Sequence, residues 1–345
     1  MNGVSITQEF STLGASAALL ITALSAGNVY AEVDKAVSTQ FWHSIARIQA
    51  RTKDGQAPMG SAVVVAPGKL VTNCHVTRDA QSVLVSGWNK EWSAKSQVMD
   101  VEHDVCVLTL GEAAGTPVEI AEPNSLKVGD EIATAGFPAA DRMAVHEGYV
   151  KGLFDLDDAR VIQGTAHFYE GESGGALFDK TGKLVGVLSF YNADPKQRSY
   201  FAMPAEWIKP LLAADAKTPE NGKNEAFWER DFEQQPFFLQ AISFENHDEW
   251  AELLKLGEQW TQKEPGNAEA WLAVGKAFNG MKRHDEALDA LRKAVTANPK
   301  HSESWLALAG AYREKGDEKN YQEALAKLKP ISPPTAKKLE SADKR

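Results

Sequence analysis

From about residue 38 to 205 the chain alternates short apolar runs with clusters of Gly, Pro and Asp, and the runs are rich in β-branched residues. SIARIQART (44–52), SAVVVAPGKLVTN (61–73), VCVLTL (105–110), EIATAGFP (131–138) and KLVGVLSFY (183–191) have the composition of strands. Turn signals separate them at roughly ten-residue intervals, the spacing of an all-β sandwich or barrel. A helix is expected in PAEWIKPLLAA (204–214), with Pro204 at its start. The next stretch, DAKTPENGKNEAFWERDFE (215–233), is polar and charged with little apolar periodicity, and reads as a linker.

After the linker the pattern turns helical. Trp271, Phe278, Leu291 and Pro299 recur 34 residues later as Trp305, Tyr312, Leu325 and Pro333, and the same step backward from Trp271, Gly275, Phe278 and Pro299 gives Phe237, Ala241, Phe244 and Pro265. An aromatic, a small residue at Gly275, a second aromatic, then Ala287, Ala294 and Pro299 at this period resemble the tetratricopeptide repeat. Three such repeats, about the minimum for a stable stack, are expected over 234–335, with a charged tail at 336–345. The third departs from the pattern: Tyr321 stands where a small residue is expected, which predicts a displaced second helix. The change of composition at the linker and the separate period predict two parts that fold independently.

At the other end, LGASAALLITALSAGNVYA (13–31) is a short apolar run ending in Val29-Tyr30-Ala31. Small residues at its last and third-last positions fit a secretory cleavage site, giving a signal peptide over 1–31 and a mature chain from Glu32. The run is too short to span a bilayer, so no stable membrane span is expected after cleavage. No Lys or Arg precedes Lys35, a departure from the usual basic leader. The expected location is the periplasm or the exterior.

Composition then narrows the chemistry. With 345 residues, 43% of them hydrophobic and 24% charged, the chain is of ordinary globular type and long enough for two domains. The formal net charge of −10 argues against the broad positive field of a nucleic-acid binder. Two cysteines, Cys74 and Cys106, cannot make a disulfide-stapled scaffold, and whether they pair is left open by the sequence.

The residues that carry chemistry lie in the first half. VTNCHVTRD ends an apolar strand on His75, VEHDVCVLTL sets Asp104 at the head of another, and GESGG (171–175) holds Ser173 among glycines. A serine nucleophile needs a base within hydrogen-bond reach, a third group to orient that base, and backbone donors for the oxyanion. The order His75, Asp104, Ser173 is one of those in which this constellation occurs. A zinc site from Cys74, His75, His103 and Cys106 is the rival, but neighbours on a strand point to opposite faces and do not easily converge on one ion. No metal or other cofactor is expected. Asp155, Asp157 and Asp158 read as a solvated loop.

GSAVVVAPGKLVTNCHV, HDVCVL, GESGGALFDKTGKLVGVLSF and YFAMPAEWIKPLL, with LKVGDEIATAGFP and VHEGYVKGL between them, resemble the trypsin-like serine peptidase domain in its bacterial HtrA/Deg-type form. The resemblance covers about residues 38–214 and places that domain in 32–215, before the linker at 216–233. It implies two antiparallel β-barrels with the catalytic residues in the cleft between them. It further implies Ser173 as nucleophile, His75 as general base, Asp104 as the group orienting His75, and an oxyanion hole from the amides of Gly171 and Ser173. Ser189, Phe190 and Tyr191 match the edge that pairs with an extended peptide. His167 falls at the base of the specificity pocket and Tyr191 and Tyr200 on its wall, where the family often has glycine. Two phenols there favour small apolar residues ahead of the cleaved bond, with an acidic residue held by His167 as the second choice. Glu172 stands where the family has Asp or Asn, and a longer acid could tilt the loop. The expected function is an exported serine endopeptidase acting on polypeptides, with repeats that contact a protein partner. The alternative is a peptide-binding or scaffold protein that keeps the fold without turnover.

Overall fold

The computed structural model describes residues 41–139, 142–192, 198–214 and 225–342. The signal peptide expected at 1–31, the first part of the linker and the last three residues lie outside them. Thirteen strands are described: β1 Ile45–Thr52, β2 Met59–Ala66, β3 Lys69–Thr72, β4 Ala80–Gly87, β5 Lys90–Ser93, β6 Ser96–Asp100, β7 Val105–Thr109, β8 Glu131–Gly136, β9 Ala144–Leu156, β10 Ala159–Gly164, β11 Ala176–Asp179, β12 Leu184–Asn192 and β13 Ser199–Pro204. The first seven form one antiparallel sheet in the order β5-β4-β1-β2-β3-β7-β6. The other six close into a barrel, β10-β13-β12-β11-β8-β9.

The run 61–73 is not one strand but a hairpin, β2 and β3, turned at Pro67-Gly68. Strand β2 reads as continuously apolar because both of its faces are buried. Val63 and Val65 point into the core shared with the barrel, while Ala62 and Val64 point into a second core with Ile48, Leu70 and Val85. Alternation of side chains across the strand thus serves two cores at once.

Short helices punctuate the β part: α1 Cys74–Thr77 after β3, and α2 Ile208–Ala213 after β13, reached through a 3-10 turn over Ala205–Trp207. The helical part comprises α3 Phe237–Asn246, α4 Trp250–Lys263, α5 Ala268–Gly280, α6 His284–Ala297, α7 Ser302–Glu314, α8 Glu318–Ile331 and α9 Pro333–Ala342. The pairs α3/α4, α5/α6 and α7/α8 are the three expected hairpins. Helix α8 begins and ends 34 residues after α6, so the third repeat is not displaced. Tyr321 is instead buried within the core of the last repeats, where its volume is taken up by packing. The charged tail expected from 336 starts inside α9, because Ala336 and Leu339 are spaced to share one helix face and both are buried.

The two parts do not fold around separate cores. One apolar cluster runs from Phe41, Val63 and Phe178 in the β part to Phe238, Leu253 and Trp260 in the helices. Phe154 of β9 stacks on Phe238 of α3, centroids 4.8 Å apart and planes 8° from parallel. At the far end of the repeats, Ser332 Oγ donates to the Val128 carbonyl at 2.7 Å, so the stack meets the β part again. The linker reading also fails for residues 225–233. Ala226 and Phe227 are fully buried, and the Phe227 amide donates to the Glu102 carbonyl at 3.0 Å. Their charged neighbours hid these two apolar anchors in the sequence.

Candidate active site

Each of the three candidate residues stands at the end of an element. His75 lies in the single turn of α1, directly after β3. Asp104 precedes β7 in a left-handed conformation (φ 57°), and its carbonyl accepts from Asn73 Nδ2 at 2.9 Å. Ser173 lies in the loop between β10 and β11. Cys74, next to His75, and Cys106, two residues after Asp104, form a disulfide with Cα atoms 5.0 Å apart. Closing a loop of 32 residues removes chain entropy from the unfolded state worth about 3–4 kcal/mol. The bridge also takes both thiols out of the rival zinc set. The other members separate as well: His103 pairs with Asp100 and Asp157, each at 2.7 Å, and Asp157 remains an exposed residue of the turn between β9 and β10, as expected of it.

The Asp104 carboxylate is fully buried and accepts three hydrogen bonds. They come from the His75 amide to Oδ1 at 2.8 Å, from His75 Nδ1 to Oδ2 at 2.7 Å, and from Ser189 Oγ to Oδ2 at 2.6 Å. An ionised carboxylate only accepts, so Nδ1 carries the proton and Nε2 is left with its lone pair, the form a general base requires. Ser189 is in place because β12 carries a bulge: Leu188 pairs with Ala202 and Phe190 with Phe201, leaving Ser189 as the extra residue. A bulge re-aims a side chain. Its hydroxyl reaches Asp104, and its carbonyl accepts from Ser173 Oγ at 3.0 Å. Among the described residues Ser173 makes no hydrogen bond to His75.

The loop carrying Ser173 is held by the fully buried Ser61 of β2. The Ser61 amide donates to the Ser173 carbonyl at 2.8 Å, and Ser61 Oγ donates to the Gly171 carbonyl at 2.9 Å while accepting from the Phe137 amide at 2.8 Å. Gly171 and Gly174 have φ of 90° and 85°, which side chains rarely adopt. A Cβ on Gly174 would also lie 2.1 Å from the Ser61 carbonyl oxygen. The amides of Gly171 and Ser173 donate to no described residue and remain available to a developing oxyanion.

Glu172, the departure from the family pattern, turns inward and is fully buried. Its Oε2 accepts from the Tyr169 amide at 2.8 Å, and its Oε1 has no hydrogen-bond partner among the described residues. Burial pushes its carboxyl up to about 7, against the pull of the Tyr169 amide. His146 Nε2 stands 4.0 Å from Glu172 Oε2, and the His167 ring packs on that of His146 with centroids 3.9 Å apart. Burial lowers the pKa of both, and for His146 the neighbouring His167 lowers it further. His146 escaped the sequence reading, since nothing in VHEGYVKGL marks which face of β9 it occupies.

A carboxyl whose pKa is raised on folding binds its proton more tightly in the folded than in the unfolded chain. Its contribution to stability is therefore full at low pH and is lost as pH rises from about 4.5 through about 7. Glu172→Gln, which has no proton to lose, removes that component, worth on the order of 3 kcal/mol. Thermal midpoints at pH 5 and pH 8 should show wild type losing several degrees relative to the variant; a constant difference refutes the assignment to Glu172. Both proteins keep His146 and His167, so their titration largely cancels.

The candidate specificity residues also come together. Tyr191 and Tyr200 are cross-strand partners with rings 5.9 Å apart, and the His167 ring lies 6.4 Å from that of Tyr200. Phe190, on the other face of β12, stacks on Phe201 at 4.7 Å.

Comparison with known families gives this geometry its context. Residues 60–187 match the trypsin-like peptidase domain, and residues 268–311 match the tetratricopeptide repeat. The chain carries a trypsin-like peptidase domain followed by tetratricopeptide repeats. A probable periplasmic serine endoprotease, DegP-like, of Ectopseudomonas mendocina is 32% identical over 178 residues, 48% of this chain and 37% of the relative. The periplasmic pH-dependent serine endoprotease DegQ of Escherichia coli is 30% identical over 138 residues, 37% of this chain and 30% of the relative. The chain thus spans about a third of the length of these relatives. The fold of the peptidase domain is shared with the Rv3671c protease of M. tuberculosis in its active form, at TM-score 0.50 and 21% identity. That alignment covers 64% of this chain and 99% of the solved one.

Proposed function

We propose that the chain is an exported serine endopeptidase that cleaves polypeptides through His75, Asp104 and Ser173. The observation that carries this reading is the Asp104 carboxylate, buried and bonded to both the amide and Nδ1 of His75. Ser173 stands across the same bulge, among amides with no partner of their own. Ser173 Oγ would attack the peptide carbonyl carbon while His75 Nε2 takes its proton, and the amides of Gly171 and Ser173 would receive the oxyanion. The proton then passes from Nε2 to the departing amine, leaving an acyl group on Ser173 that water removes by the same relay. Rotation of the Ser173 hydroxyl from the Ser189 carbonyl toward Nε2 is a change between staggered rotamers, which takes place in nanoseconds or less.

The edge at Ser189–Tyr191, which pairs with no strand other than β13 among the described residues, suits an extended peptide added as a further strand. Small apolar side chains suit the position ahead of the cleaved bond, because the Tyr191 and Tyr200 rings stand on the pocket wall. An acidic side chain met by His167 is the second choice. The repeats supply a surface for a protein partner, and export to the periplasm agrees with the location in the relatives' names. No helix among the described residues is long and apolar enough to cross a membrane.

The alternative, a peptide-binding scaffold without turnover, draws on the Ser173 hydroxyl being bonded to Ser189 rather than to His75. Labelling with a fluorophosphonate probe separates the two. We expect stoichiometric labelling at Ser173, because the probe requires an activated serine and a formed oxyanion site. A folded protein that fails to label is the scaffold.

A further inference from the structure

The peptidase cleft contains one large side chain that no part of the peptidase domain supplies. Trp228 belongs to the segment leading into the repeats, yet its ring stands 5.4 Å from the His75 ring, edge-on at 88°, and stacks on Phe190 at 4.7 Å and 16°. Phe190 cannot withdraw, because its other side is stacked on Phe201 at 4.7 Å.

The segment is pinned on both sides of the indole. Before it, Phe227 is buried and its amide donates to Glu102. After it, the Glu229 carboxylate takes both terminal nitrogens of the Arg78 guanidinium, Nη2 to Oε1 at 2.8 Å, and also accepts from the Ala226 amide at 2.7 Å. Arg230 pairs with Glu102. Gln235 Nε2 donates to the carbonyls of Trp228 at 2.9 Å and Arg230 at 3.0 Å. Two-point guanidinium–carboxylate pairing is among the most geometrically restrictive contacts a side chain makes. Trp228 is therefore built into the cleft rather than resting there.

An extended peptide on the Ser189–Tyr191 edge presents successive side chains to opposite faces. With its reacting carbonyl at Ser173, the residue bearing that carbonyl faces Tyr191, Tyr200 and His167. The residue before it then faces Phe190 and His75, the ground where the Trp228 ring stands. A stacking separation of 4.7 Å leaves no slot between the indole and Phe190.

We propose that Trp228 is a specificity-determining residue which limits the position two residues ahead of the cleaved bond to glycine or alanine. The inference rests on the peptidase reading above, and it makes the segment entering the repeats part of the substrate site.

The test uses the full chain as wild type, Trp228→Ala and Trp228→Phe. Each is normalised to its fluorophosphonate-labelled sites and given a fully randomised peptide library, with cut positions read by mass spectrometry. Wild type should favour Gly or Ala over Leu or Phe at this position by about tenfold or more, the discrimination of which a few methylenes in an apolar site are capable. Trp228→Ala should reverse the ratio in favour of the large side chains, and Trp228→Phe should fall between. Labelling in wild type with no preference at this position, or a preference unchanged in the variants, overturns the role of Trp228 and leaves the peptidase reading standing. If Trp228→Ala does not fold, the Trp228→Phe ratio decides alone: a shift supports the proposal and no shift overturns it. Absence of labelling in folded wild type removes the peptidase reading and this inference together.

Discussion

Ser173→Ala is expected to lower kcat toward a peptide substrate by about 10⁶ and to leave the thermal midpoint close to that of wild type. The two halves of that expectation come from different observations. Ser173 Oγ makes one hydrogen bond, to the Ser189 carbonyl, and only that bond is lost with the hydroxyl. The loop itself is held through backbone atoms, by the Ser61 amide on the Ser173 carbonyl and Ser61 Oγ on the Gly171 carbonyl, and these survive the substitution. Hydrolysis of a quenched peptide, beside a melting curve, reads both. Activity within tenfold of wild type would assign the nucleophile elsewhere.

Asp104→Asn should cost about 10⁴ in kcat, or roughly 5.5 kcal/mol of transition-state stabilisation. Asp104 receives three donors and offers none, which is why the His75 proton resides on Nδ1. An asparagine of the same shape must present its NH₂ to one of those donors. Facing His75 Nδ1, it would draw the proton to Nε2 and leave no lone pair for Ser173. Facing the His75 amide, it would leave two N–H groups opposed in a buried site. The second arrangement keeps the proton on Nδ1 but at the cost of those opposed donors, so the first is favoured, and it removes the base without removing the nucleophile. The decisive readout is kcat against pH, where part of the loss should be recovered at high pH as hydroxide replaces the base. Kinetics equal to wild type would show that Asp104 does not orient His75.

The sequence was most legible where chemistry imposes a local grammar. His75, Asp104 and Ser173 each stand where an apolar strand meets a loop, and glycines flank the serine because Gly171 and Gly174 occupy positive φ. The 34-residue period located three helical hairpins for a comparable reason: each repeat must bury the same face against the next. What stayed hidden depends on long-range placement. Ser189 could be matched to the peptide-pairing edge, but its bond to Asp104 follows from a bulge that no pattern announces. His146 lies within a long strand of mixed burial, and its approach to His167 and Glu172 depends on the register of β9 against β8. Phe227 and Trp228 were masked by acidic and basic neighbours, which have partners on the peptidase domain in Arg78 and Glu102. A polar stretch reads as a linker only if its charges face water, and here Glu229 and Arg230 face Arg78 and Glu102 instead. The expectation of two independent folds failed for the same reason, since the shared core draws on aromatic residues from both sides of that stretch.

The attachment of the repeats at both ends has a consequence for how they yield. A helical solenoid behaves as a spring in one dimension: each unit touches only its neighbours, and opening starts at whichever end is free. Here Phe238 at the first helix is stacked on Phe154, and Ser332 beyond the eighth is bonded to Val128, so the stack has no free end. Stretching or unwinding it must break a contact with the β part, and the compliance that such repeats ordinarily use to adapt to a ligand is clamped at both termini. The curvature of the stack is thereby set by the dimensions of the domain it spans.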